Sequence, residues 1–263
     1  IFAFRTSSWS TASRALWQHG PSMLMLSTAL LMIIKSKKNY KIIQYVGIPL
    51  AMSYVIRPTN SISILLLSIY ILIVHRKYFI KYILWSLIVV IPFIIFNYHV
   101  YNFILPPYYL PSKLGNLQFL EALAGNLISP ARGIFVYSPV LILSIWGMTI
   151  KTKEKNIKLL KITLISIIVM HWVAISQYPH WWGGYSFGPR IMSDIIPYLI
   201  LFFIPLFVHM STKGISMKYA LAIIVFILAI LSFSIHYRGA NASDVYTWNY
   251  HPVNIDEMPS RLW

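Results

Sequence analysis

The feature that most constrains this chain is its alternation of long apolar runs with short turns crowded with lysine. A helix needs about 20 mostly apolar residues to cross the hydrocarbon layer of a bilayer. Eight runs approach that length, at 15–34, 42–56, 60–75, 79–100, 134–150, 159–176, 190–210 and 217–236. No period-2 pattern competes with them, and no internal repeat organises them. Of the 263 residues 58% are hydrophobic and 11% charged, against about a quarter charged in soluble domains. The pattern therefore predicts an all-α, polytopic integral membrane bundle of about eight transmembrane helices over residues 1–236, with external loops, an interfacial helix and an external tail at 237–263. Prolines inside the runs (Pro49, Pro92, Pro197, Pro205) fit this class, because neighbouring helices re-satisfy the freed backbone groups. The chain opens on Ile1 without an initiator Met or a signal-peptide pattern, and it reads as a piece of a longer protein, truncated at both ends.

Charge gives the orientation. There are 22 Lys+Arg against 6 Asp+Glu, a formal net charge of +16. In a soluble chain this would point to nucleic acid. Here the bases fall in the turns, and no nucleic-acid partner is expected. Every second turn is basic: Lys35 to Lys41, then Arg76, Lys77 and Lys81, then Lys151 to Lys161, then Lys213 and Lys218. These 14 bases lie on one side and the remaining 8 on the other, so the lysine side is cytoplasmic. Thirteen of the 14 lysines fall there, whereas seven of the eight arginines do not. A topology signal is satisfied by either base, so it does not explain that split. The planar guanidinium fork suits bidentate binding of phosphate or carboxylate. Arg14, Arg57, Arg132 and Arg190 stand near expected helix ends, at the depth of a lipid phosphate. The acids Glu121, Asp194, Asp244, Asp256 and Glu257 are external too, with only Glu154 on the lysine side. The competing reading has the arginines snorkelling to the interface and pairing with these acids.

Four external segments stand out. The run ending at Arg57 has about 15 residues, roughly 23 Å of helix, which places Arg57 slightly below the surface. Pro58 stops the ladder there, and Thr59 can cap the next helix. Residues 117–128 are apolar but too short to span, so they read as an interfacial or re-entrant helix carrying Glu121, followed by Arg132 and Gly133. The segment His180-Trp181-Trp182-Gly183-Gly184-Tyr185-Ser186-Phe187-Gly188-Pro189-Arg190 sets flat rings on adaptable backbone. Such rings pack on the C–H faces of sugars or hold cations. The tail from Tyr237 is polar and aromatic and is expected to fold over the outer mouth. The chain has no cysteine, which excludes a disulfide scaffold, a thiolate metal site and a cysteine nucleophile. Its eight histidines show no ligand spacing, and no phosphate-binding Gly-rich loop or Gly-x-Ser-x-Gly elbow is present.

Taken together, Trp9-Ser10-Thr11-Ala12-Ser13-Arg14 with Trp17-Gln18-His19-Gly20-Pro21, Arg57-Pro58-Thr59-Asn60, Ser129-Pro130-Ala131-Arg132-Gly133 with Tyr137-Ser138-Pro139, and Trp181-Trp182-Gly183-Gly184 through Gly188-Pro189-Arg190 with Asp194 resemble bacterial multi-pass glycosyltransferases of the C-type membrane fold. Those enzymes are similar to protein O-mannosyltransferases and lipid A sugar transferases. The resemblance implies a polyprenyl-phosphate sugar donor, transfer to an unidentified acceptor on the external or periplasmic face of a bacterial inner membrane, and membrane lipids as surroundings. It also implies a catalytic acid in a first external loop, which would precede Ile1. The catalytic residue is therefore unassigned: Glu121 and Asp194 are the external acids near helix ends, and neither matches the family's base. On this reading Arg57, Arg132, Arg190 and Arg14 bind the donor phosphate, while His180, Trp181, Trp182 and Tyr185 hold sugar or acceptor. No cofactor is expected, with a divalent metal the one addition left open. Two rivals remain. A lipid-linked-sugar flippase would line both halves of its path with polar groups, whereas a non-catalytic scaffold would use the tail to bind a partner.

Overall fold

The computed structural model describes residues 1–12, 17–106, 115–247 and 254–258. Arg14 lies outside them, as do parts of the tail. Among the described residues the chain is all-helical, without a strand. Four helical stretches are long and apolar enough to cross a membrane: Arg76–Tyr101, Lys155–Ser176, Ile191–Ser211 and Ile215–Asn241. They mark the chain as an integral membrane protein, and they coincide with four of the eight expected spans.

The other four runs form shorter elements, for local reasons. The first is helix α1 (His19–Lys35), of 17 residues. In the second, a 3-10 segment at Tyr40–Val46 precedes α2 (Gly47–Ile56), which leaves only 10 α-helical residues. The third opens on the 3-10 turn Pro58–Asn60 and continues as α3 (Ser61–Val74). Asn60, rather than Thr59, is the N-cap residue. Its buried amide instead donates to Ser22 Oγ at 2.8 Å and to the Ser53 carbonyl at 2.9 Å. The run at 134–150 breaks into α6 (Ile134–Tyr137), a 3-10 turn at Pro139–Leu141 and α7 (Ile142–Thr149), because Pro139 has no N–H to continue the ladder. The short apolar stretch before it is α5 (Phe119–Ile128), 10 residues long. Pro92, in contrast, is carried inside α4 (Arg76–Tyr101). Helix α8 is Lys155–Ser176, α9 is Ile196–Leu201, α10 is Phe203–Ser211 and α11 is Ile215–Asn241.

The chain forms two compact units. One comprises residues 21–114 and 153–171. Here α2 crosses α4 closely at Gly47, where a Cβ would run into the Tyr82 carbonyl. Small residues permit such approach between apolar helices, where packing rather than water exclusion provides the attraction. Tyr82 is buried and its hydroxyl meets Ser68 Oγ at 2.6 Å. At one end of this unit the turns lie side by side. The Tyr40 and His75 rings are 6.1 Å apart, and Lys37 bonds Glu154 at 3.0 Å.

The other unit comprises residues 1–20, 115–152 and 172–263. Its stretch Ile191–Ser211 is the most enclosed of the four long ones, with 61% of its most apolar window buried. Gly147 on α7 fits against the Phe202 carbonyl, where no Cβ would. The N-terminal π-helical turn Ser8–Ala12 packs on α11.

Candidate functional site: an arginine-bound aromatic loop

Within the unit that holds the N-terminal turn, the segment after α8 is drawn around two arginines. Gly183 and Gly184 have φ of +74° and +68°, a left-handed pair that side chains rarely adopt. The resulting turn presents successive carbonyls to one side. Arg132 Nε donates to the Trp182 carbonyl at 2.6 Å, and its Nη2 donates to the Gly184 carbonyl at 2.8 Å. Its Nη1 reaches the Ala131 carbonyl at 2.7 Å. The carbonyl between them, that of Gly183, accepts from Arg190 Nη2. Arg190 also lays its guanidinium over the Trp17 ring, 4.5 Å from the centroid, a favourable cation–π distance.

The two arginines differ in exposure. Arg132 is 1% exposed, and burial pushes its guanidinium down to about 10. Tyr137 opposes that shift, Arg190 adds to it and Asp256 opposes it, so the group stays cationic at neutral pH. Burying a guanidinium is tolerable only when its donors are satisfied, and the loop carbonyls do this. Arg190 is half-buried, so it offers its charge to the outside as well. Arg57 belongs to the other unit. It is 9% exposed, at the junction where α2 ends and the Pro58–Asn60 turn begins.

The rings assigned to sugar or acceptor divide into two pairs. Trp181 is 1% exposed and sits where Gly125 of α5 leaves room, since a Cβ there would enter its ring. Trp182 is buried edge-on to it, and both pack with Ala122 and Ile255. His180 and Tyr185 are exposed, with the His180 ring 5.1 Å from that of Trp182. Glu121 is half-buried in the first turn of α5, and Asp194 is 1% exposed on the 3-10 turn Ile191–Ile195.

Two features go beyond what the sequence singled out. The first is the set of groups that hold the tail, which was expected over the outer mouth: its segment at 254–258 is clamped on the loop. Trp182 Nε1 donates to Asp256 Oδ1 at 2.6 Å, and the Tyr185 hydroxyl donates to Asn254 Oδ1 at 2.7 Å. Asn254 Nδ2 in turn donates to Glu257 Oε1 at 3.0 Å. The second is His236 of α11, fully buried between two hydroxyls. Its Nδ1 is 2.7 Å from Ser10 Oγ and its Nε2 is 2.8 Å from Ser138 Oγ. Thr11 donates to the Phe187 carbonyl at 2.8 Å, so the N-terminal turn is tied both to α11 and to the loop. A histidine inside an apolar run was the available signal, because such a group must find polar partners. Among the described residues no group of three or more His, Asp or Glu side chains is placed to hold a metal.

No protein-family model, no curated protein and no solved structure matches this chain.

Proposed function

We propose that this chain is the membrane part of a glycosyltransferase, which moves a sugar from a polyprenyl-phosphate donor to an acceptor on the external face of a bacterial plasma membrane. The observation that carries the reading is the convergence of Arg132 and Arg190 on one aromatic–glycine loop, with Arg190 accessible beside Trp17. In the reaction an acceptor oxygen attacks the sugar C1. The C1–O bond breaks, the carrier phosphate leaves with the electron pair, and a carboxylate takes the acceptor proton. Negative charge grows on the phosphate as it leaves, and preplaced cations stabilise it most in a partly dehydrated site. Arg190, half-buried, brings its charge to the edge of the loop. Arg132, with three donors on backbone carbonyls, contributes chiefly its field. The sequence also assigned Arg57 and Arg14 to the phosphate; Arg57 belongs to the other unit and Arg14 lies outside the described residues, so the reading rests on Arg190 and Arg132. His180 and Tyr185, the exposed pair, offer polar edges to the sugar, whereas Trp181 and Trp182 are buried and support the loop from within instead of facing the sugar. The proton acceptor is unassigned, with Glu121 and Asp194 as candidates.

The test is sugar release from a polyprenyl-phosphate sugar by membranes carrying the full-length protein, compared with Arg190→Lys, which keeps the charge but loses the fork. The reading requires release by the parent and a drop of about tenfold or more in the variant, the loss of one charge-assisted hydrogen bond in a dry site. Equal release from both would refute the arginine's role. Donor movement across the bilayer without release would identify a flippase instead.

A further inference from the structure

The reaction above makes no use of the lysine-rich end of the unit formed by residues 21–114 and 153–171. That end gathers four lysines between 35 and 41, the Arg76, Lys77 and Lys81 that open α4, and four lysines between 153 and 161. Tyr40 against His75 and Lys37 against Glu154 bring these three segments together. Eleven bases thus share one carboxylate, and ten of the eleven are exposed, Lys161 being half-buried.

Local stability does not explain the arrangement. Helices α4 and α8 carry no acid in their first turn, although the positive end of a helix dipole favours acids there and disfavours cations. The bases also continue directly into a lipid-type surface. Only 6% of the most apolar window of α4 is buried, and Ile80, Leu84 and Ile88 are exposed by 73%, 58% and 56%. Cations set at the end of an uncovered apolar helix lie at the depth of lipid phosphates.

We propose that this end binds anionic phospholipid, the lysines holding headgroup phosphates while the acyl chains lie along α4. The partner's chemistry follows from charge complementarity together with the adjoining apolar surface, since neither a free anion nor a soluble acidic protein would use both. The proposal is independent of glycosyl transfer.

Native mass spectrometry of the purified chain in detergent tests it, with phosphatidylglycerol and phosphatidylcholine of identical acyl chains added in competition. The parent should retain the anionic lipid in preference, and the preference should fade as salt rises. Replacing Lys37, Lys38 and Lys41 together by glutamine should cut retention of the anionic lipid about tenfold or more. Lys213→Gln with Lys218→Gln, which removes two charges from the other unit, should have a smaller effect. Thermal unfolding in lipid-free detergent shows whether each variant is folded; should the triple variant unfold early, Lys77→Gln with Lys81→Gln takes its place. Equal retention of the two lipids by the parent overturns the proposal. So does equal loss in both variants, or displacement of the lipid by inorganic phosphate at matched phosphate concentration.

Discussion

Arg132 and Arg190 bind consecutive carbonyls of the same turn: Arg132 takes those of Trp182 and Gly184, and Arg190 takes that of Gly183 between them. Two like charges are thereby held close to one short piece of backbone. The carbonyl dipoles offset their mutual repulsion, and an arriving anion would offset it further.

The two positions should therefore fail differently. Arg132→Lys removes the fork from a buried site and leaves carbonyls unmet, at a cost of about 2–3 kcal/mol. We expect a clear fall in the thermal unfolding midpoint in detergent. Arg190→Lys, at a half-buried position, should cost about 1 kcal/mol or less. If Arg190→Lys proved the more destabilising of the two, the assignment of the buried, structural role to Arg132 would be reversed.

Asp256 clamps the tail through Trp182. Asp256→Asn weakens a charge-assisted bond and should destabilise the clamp by about 1–2 kcal/mol. Limited proteolysis should then cut the tail faster while the helices stay protected. A double-mutant cycle with Trp182→Phe checks the pairing, because purely additive effects would show that the 2.6 Å contact carries no energy of its own.

Gly125 and Gly239 leave space for rings, Gly125 for Trp181 and Gly239 for Phe187. Alanine at either site should cost about 1–3 kcal/mol through overpacking. Shrinking the facing ring should relieve it, so Gly125→Ala combined with Trp181→Leu should be less damaged than the sum of the two single changes. Unfolding midpoints of the four proteins decide the matter.

His236 accepts from one hydroxyl and donates to the other. Ser138→Ala leaves one ring nitrogen buried without that partner, a loss of about 1–3 kcal/mol. His236→Leu removes the polar ring, but it leaves Ser10 and Ser138 to find new partners. We expect Ser138→Ala with His236→Leu to be closer to the parent than Ser138→Ala alone, again by unfolding midpoint.

The absence of cysteine makes orientation directly measurable. Tyr185→Cys and Lys38→Cys each introduce a single exposed thiol. In intact cells an impermeant maleimide should label the first and not the second. The reverse pattern would place the arginine loop in the cytoplasm and end the proposed external reaction.

What the sequence made legible follows from the physics of each signal. Hydropathy is a sum over many residues, so the runs behind α4, α8 and α11 and the stretch Ile191–Ser211 could be read directly. The run at 134–150 could not be read as broken, because whether a proline such as Pro139 ends a helix or is carried within it, as Pro92 is, depends on what surrounds it. The arginines were visible as fork-shaped donors, but not their carbonyl partners. Carbonyl direction at Gly183 and Gly184 depends on φ signs that composition leaves open. Nor could spacing show that Asp256 would reach Trp182, 74 positions earlier.

Helix α4 packs along one side on α2, the 3-10 segment Tyr40–Val46 and α3, and of its own residues it buries only Tyr82 and Asn97. Most of its surface is thus answerable to a fluid rather than to a fixed mould. A library that randomises Ile80, Ile88 and Ile95 among greasy residues should survive almost whole, whereas the same liberty at Tyr82 should be rejected. The helix can drift freely in composition while its one seam stays constant.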